Sequence, residues 1–262
     1  PTRINEKIRE ILNLFSKSSY VGCTATPFAN IFIDPDANDK EFGDDLYPDD
    51  FIISLESPPS YIGPNHCFLN DETTNHVVSL IKDNEPCIPV PQPKDFSVNC
   101  LPNSCKKSIE MFLLSIAIKI KRKTSQKHTS MLINITHKTD LQAEIEILVS
   151  NHLKYLLRAI RYERNNNTEL SPELNQLQQI WNDEYKSEGN FDELLSIIDS
   201  VSGSIVVKLI NSNTTEVLNY KDYEQGLHAI VVGGFSLSRG FTFEGLTISY
   251  LLRNSMMSDT IL

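Results

Sequence analysis

Residues 228–253, HAIVVGGFSLSRGFTFEGLTISYLLR, bring together the side chains best suited to chemistry. An apolar run reaches Gly233-Gly234, where missing Cβ atoms allow unusual backbone angles or a close approach. Ser236 and Ser238 follow, and then Arg239-Gly240. A guanidinium on such a loop can grip a phosphate or carboxylate through two parallel hydrogen bonds. Gly240 leaves the backbone beside it free to turn. The plainer alternative is a solvated arginine on a tight loop.

Two more segments end apolar runs in polar residues. In YVGCTATPFAN, residues 20–30, Thr24 and Thr26 put two hydroxyls next to the rigid turn at Pro27. In MLINITHKTD, residues 131–140, Thr136, His137, Lys138 and Thr139 follow the run, and Thr139 or Asp140 can cap a helix. His137 and Lys138 could meet a phosphate there, or simply be loop residues. In open α/β sheets ligands sit outside the carboxyl ends of strands, which is where these segments would place their polar ends.

The elements expected to position them alternate between strand and helix, as in an α/β fold. Residues 3–16 carry Ile4, Ile8, Ile11, Leu12 and Phe15 at helical spacing. SYVGCTATPFANIFI reads as a short buried strand, a turn and a second apolar run, and FIISLES as another short strand. Prolines at 86, 89, 91, 93 and 102 make residues 85–102 an extended connector. Helical periods return over Lys106–Lys123, Asp140–Arg164, 172–187 and 191–199. SMLINIT, SIVVKLINS, HAIVVGG and LTISYLLR are near-continuous apolar strands, the pattern of a parallel sheet covered on both faces.

Composition narrows the functions available. The chain has 262 residues and is 40% hydrophobic, enough for one or two domains with a sizeable core. No run of eighteen apolar residues occurs, so no membrane span is expected. A net charge of −10 lacks the bulk footprint of a strong nucleic-acid binder but leaves room for a few backbone contacts along one groove. Five cysteines without a CxxC pair point to reduced thiols in a cytoplasmic protein. Cys67, Cys87, Cys100 and Cys105, with His66 and His76 nearby, leave a zinc site conceivable, although structural zinc ligands usually come in close pairs. No metal site is assigned. The chain opens at Pro1 and stops at Leu262 in ways expected of cuts within a longer protein.

Two positive clusters stand out against that charge: KIKRKTSQK at 119–127, and Arg158, Arg161 and Arg164. Either could track a phosphate backbone. The blander reading is a solvated helix face, with aromatic residues not interleaved for base stacking.

In this order the three polar-ended segments resemble motifs III, IV and V of superfamily 2 helicases. TATP is similar to the Ser/Thr-Ala-Thr segment that closes a first RecA-like lobe, and SMLINITH to the first strand of a second lobe. LSRGFTFEGLTISYLLR resembles the Ala-Arg-Gly-Ile/Leu-Asp segment of motif V, with Thr242 where aspartate is common. YVGCTATPFANIFIDP, DLYPDDFIISL and GGFSLSRGFTFEGLTISYLLRNSMMSDTIL together resemble the Z-one domain family, which accompanies bacterial superfamily 2 helicase modules and bears an endonuclease label.

The resemblance implies a RecA-like, P-loop NTPase-type parallel sheet flanked by helices, with a proline-rich insertion. It divides the chain into a remnant of the first lobe (1–35), an acidic and proline-rich connector (36–104) and a second lobe (105–262) that stops before motif VI. It implies a bacterial helicase-like ATPase or translocase acting on nucleic acid, with a role in DNA restriction or phage defence and with ATP and Mg as the parent's cofactors. Arg239 would act at the ATP site. Thr24, Thr26, Gly233, Gly234, Ser238 and Gly240 would couple nucleotide state to lobe motion, and His137 and Lys138 would contact nucleic acid.

No GxxxxGK[S/T] loop occurs, no Asp-Glu box precedes TATP, and the segment that would supply an arginine finger is not reached, so ATP turnover by this segment alone is not expected. The acidic run Asp34, Asp36, Asp39, Glu41, Asp44, Asp45, Asp49 and Asp50 keeps a metal-dependent nuclease as an alternative, beside a non-catalytic interaction module.

Overall fold

A computed structural model describes residues 3–24, 31–35, 38–39, 43–56, 58, 61, 63, 67–69, 77–166, 170–211, 213–214, 218–234 and 242–252. The chain divides into two compact units, residues 1–78 with 257–262, and residues 79–256. Among the described residues no helix is long and apolar enough to cross a membrane.

The first unit contains helix α1 (Arg3–Asn13) and a two-residue antiparallel ladder between β1 (Asn38–Asp39) and β2 (Gly43–Asp44). Asn5 of α1 donates to Asp45 Oδ1 at 2.7 Å. That bond and the Leu46 amide hold the Asp45 carboxyl below the usual range. The strands expected within residues 20–24 and over FIISLES are corrected. Residues 18–24 and 51–56 carry no strand pairing, and Tyr20, Val21, Ile53 and Leu55 are exposed. An apolar run becomes a strand only where a neighbour satisfies its backbone N–H and C=O groups. Neither run has such a neighbour among the described residues.

The second unit is built as the alternation predicts. Helix α2 (Asn103–Lys121) leads into β3 (Thr129–Asn134), followed by α3 (Thr139–Asn166), α4 (Pro172–Ile180), α5 (Phe191–Val201), β4 (Ile205–Ile210), β5 (His228–Gly233) and β6 (Leu246–Leu251). A single π-turn, Trp181–Tyr185, continues α4. Local chemistry sets the starts. Ser171 caps α4 by accepting from the Leu174 amide, with Pro172 next to it, and Asn190 caps α5 by accepting from Asp192.

The strands form a four-stranded sheet in the order β4-β5-β3-β6, with every pairing parallel. Along a strand successive side chains face opposite sides. Met131 and Ile133 of β3, and Ile230 and Val232 of β5, join the main core with Phe112 and Ile116 of α2, Ile145 and Leu156 of α3, Leu174 of α4 and Ile198 of α5. Ala229 and Val231 face the other way into a smaller cluster with Tyr220 and Leu227. The four helices therefore lie on one face, and the connection between β4 and β5 covers the middle of the other. Central β5 is buried along its whole length, whereas β6 at the edge is largely exposed.

The proline-rich residues near 85–102 pack into this unit, with Ile88, Val98 and Leu101 in the main core. Asp83 binds the start of α2, accepting from the Ser104 amide at 2.8 Å and its hydroxyl at 2.5 Å. The Ser104 hydroxyl also lies 2.9 Å from the Tyr250 hydroxyl of β6. The expectation of reduced thiols is corrected at two positions: Cys87 and Cys100 form a disulfide with Cα atoms 5.3 Å apart. Cysteines 13 residues apart meet because the intervening chain folds back on itself. Cys105 stays free and buried, which pushes its thiol up to about 12.

Candidate functional site at the carboxyl edge of the sheet

Parallel pairing brings the carboxyl ends of β3, β4 and β5 to one edge, where Ile210 stands in register with Gly233. Gln142, in the first turns of α3, links all three. Its Nε2 donates to the Thr136 carbonyl at 2.9 Å, and its Oε1 accepts from Asn211 Nδ2 at 3.1 Å. Asn211 Oδ1 in turn accepts from the Asn213 amide at 2.9 Å. Asn213 Nδ2 reaches Thr139 Oγ1 at 3.3 Å. Each member is polar and several are buried, so the network is costly to break in part.

The pair Gly233-Gly234 finds its reason here. Gly233 closes β5, and a Cβ at Gly234 would collide with Gln142 Nε2 and lie 3.3 Å from the Thr136 oxygen. The glycine admits a close approach at this edge, and Arg239 follows it in sequence. Arg239, Ser238, Gly240 and Thr26 lie outside the described residues. Thr24 is described, exposed and within the first unit. His137 is exposed at the turn after β3. Lys138 is half-buried, and its Nζ donates to the carbonyls of Pro93 at 3.0 Å and Gln92 at 3.4 Å. Thr136 Oγ1 donates to Gln92 Oε1 at 3.2 Å, so the proline-rich segment is tied to this edge twice.

Three residues of the edge escape a reading of the sequence. Gln142 and Asn211 act through partners distant in the chain. Asn134 ends β3, is 6% exposed, and its side-chain oxygen has no hydrogen-bond partner among the described residues. Its parity along β3 sets it opposite Met131 and Ile133, away from the helices. An unpaired buried acceptor costs about 1–3 kcal/mol, and a ligand donor or water reaching the edge would relieve it. One signal was legible: a polar residue inside the apolar run SMLINIT.

The two positive clusters fare differently. In the first, Lys121 pairs with Glu193 at 2.6 Å, Arg122 pairs with Glu188, and Lys119 donates to the His128 carbonyl. In the second, Arg161 holds Asp199 and Ser202, Arg158 has no ion pair among the described residues, nor has its neighbour Lys154, and the Arg164 side chain lies outside what the structure describes. Among the described residues no group of three or more His, Cys, Asp or Glu is placed to hold a metal ion.

A buried polar group lies elsewhere, between α2, α3 and α4. Glu110 is 1% exposed, with its Oε1 3.8 Å from His152 Nε2. Burial and then the Glu173 charge push the Glu110 carboxyl up to about 7. Burial and then the Lys106 charge push His152 down to about 4.

The family model of the Z1 domain, the Z-one family, matches residues 104–262. No curated protein and no solved structure matches the chain.

Proposed function

The chain belongs to the Z1 domain family, and from that membership we propose that it is part of a helicase-like ATPase or translocase of superfamily 2 that acts on nucleic acid. In this reading residues 105–262 are the second RecA-like lobe, and the preceding residues include a remnant of the first. The whole protein uses ATP and Mg, works on DNA in the cytoplasm, and serves restriction or phage defence. Arg239 touches the nucleotide phosphates, and Ser238 and Gly240 shape its loop. Thr24 and Thr26 link nucleotide state to lobe motion, while His137 and Lys138 face nucleic acid.

One observation supports this reading most. The segment bearing Arg239 follows Gly234, which packs on Gln142 and the Thr136 carbonyl at the carboxyl edge of a parallel sheet. That edge is where α/β sheets bind ligands. The polar turn with His137 and Lys138 leaves the neighbouring strand from the same edge. A phosphate-facing arginine and a nucleic-acid-facing turn thus start from adjacent strands.

The test is DNA-stimulated ATP hydrolysis by the longer protein, comparing wild type with Arg239→Ala. Stimulated hydrolysis that falls by about 10³-fold or more in the variant is expected of an arginine at transferring phosphate. Magnesium-dependent DNA cleavage without ATP turnover, unchanged by the substitution, would overturn the proposal in favour of a nuclease.

A further inference from the structure

The exposed face of α3 is a second site of a different kind. Lys154, Arg158 and Arg161 follow one another at spacings of four and three residues, which puts them on one stripe of the helix. They line a cavity of about 280 Å³ with Leu157 of α3 and with Ser202 and Gly203 of the turn before β4. Like charges at this spacing repel and weaken a helix that has no counter-charge. Asp199 answers Arg161, and Ser202 fixes its other nitrogen at 2.9 Å. Nothing among the described residues answers Lys154 or Arg158, although the chain carries a net charge of −10. The comparison with Lys121 and Arg122, both neutralised by glutamates, shows that this surface does not pair its cations as a matter of course.

Tyr155 and Tyr162 flank the stripe and are 52% and 64% exposed. The helix brings exposed aromatic and basic side chains to one surface. Seven residues apart, the two rings are separated by about 10 Å along the axis. Exposed rings beside cations form a surface on which bases stack while phosphates meet the charges. The turn Ser202–Ser204 precedes β4, so this surface lies toward the amino edge of the sheet, away from the edge that holds Gly234.

We propose that the groove lined by Lys154, Arg158 and Arg161, with Tyr155 and Tyr162 beside it, binds single-stranded nucleic acid independently of the carboxyl edge. Both chemistries of the occupant are on the surface: spaced anions for the cations and flat rings for the tyrosines. An acidic protein segment would use only the first.

The probe is a fluorescein-labelled oligodeoxythymidine of about twenty nucleotides, followed by anisotropy over a range of salt. Wild type is compared with Lys154→Glu/Arg158→Glu and Tyr155→Ala/Tyr162→Ala, each checked for folding by the fluorescence of Trp181. Charge reversal is expected to weaken binding at least about tenfold and to flatten its salt dependence. Loss of the tyrosines is expected to weaken binding by about tenfold with the salt dependence kept. Binding unchanged by charge reversal overturns the proposal, as does polyglutamate competing as well as the oligonucleotide does. Failure of ATP hydrolysis in the longer protein, with this binding intact, would remove the ATPase reading and leave the surface standing.

Discussion

The side-chain amide of Asn211, just past β4, donates to Oε1 of Gln142 in α3 across 3.1 Å, deep in the second unit. Because Gln142 also donates to the Thr136 carbonyl, one side chain fastens the ends of two strands to a helix. Gly234 of a third strand end lies against the same amide.

Gly234→Ala should therefore act through Gln142. The added methyl would displace the Gln142 amide and leave the Thr136 carbonyl and Asn211 amide unpaired, for a loss of about 1–3 kcal/mol. Gln142→Ala removes the same bonds at a similar cost. The double variant should lose clearly less than the sum, since both changes break one network. Chemical denaturation followed by the single tryptophan, Trp181, gives all three values. Its ring packs on Phe191, and its Nε1 donates to Gly189. Additive losses would mean that the two residues are not coupled.

The pair Glu110 and His152 predicts opposing pH effects. Glu110 titrates near 7 when folded against 4.5 ordinarily, so between those values the folded protein holds a proton that the unfolded chain releases. Its contribution to stability falls as pH rises through that window. His152 titrates near 4 against 6.5, so the unfolded chain holds the extra proton and stability rises with pH over that range. The two largely cancel between pH 4.5 and 6.5. Glu110→Gln should unmask the rise, and His152→Gln should unmask the fall. Melting temperatures across pH 4 to 8 check both signs, and parallel profiles for the two variants would refute the assignment.

How far the sequence could be read follows from what each element depends on. β3 and β5 were legible because a near-continuous apolar run buried on both sides needs no further context. Helices α3 and α5 followed from their periodicity. Residues 20–24 and 51–56 are equally apolar but lack strand partners, and pairing is a property of neighbours that no single run encodes. The site divides the same way. Gly233, Gly234, His137 and Lys138 stand out in the sequence because their types announce turns or charge. Gln142, Asn211 and Asn134 are ordinary amides whose importance arises only when distant segments converge. Tyr155 and Tyr162 look like core residues until the helix turns them outward.

Asp83 is a second fastening point, joining the start of α2 to the segment before it. Burial pushes its carboxyl up, but the Ser104 hydroxyl and the nearby amides outweigh that and hold it below the usual range. A depressed carboxylate stabilises above its unfolded pKa, and the contribution is lost as pH falls through the folded value. Asp83→Ala should cost about 1–2 kcal/mol at neutral pH, as loss of a helix cap does. The difference from wild type should shrink in acid, below the ordinary aspartate value. A pH-independent difference would show that packing, and not the ionised carboxylate, is what the substitution removes.

The disulfide between Cys87 and Cys100 bears on where the protein works, because reducing compartments rarely keep such bonds. It closes a loop whose ends are 13 residues apart, around Val98 and the carbonyls of Gln92 and Pro93 that Lys138 holds. A closed loop of this size stabilises by about 3 kcal/mol through the unfolded chain it restricts. Peptide mapping without reductant should recover the linked Cys87 and Cys100 peptides, with Cys23, Cys67 and Cys105 alkylated separately after unfolding. Reductant should lower the unfolding free energy by up to that amount, and Cys87→Ser/Cys100→Ser should be insensitive to it. If the wild type purified under mild conditions shows both thiols free and no response to reductant, the segment is held by Ile88, Val98 and Asp83 alone, and the cytoplasmic reading stands without conflict.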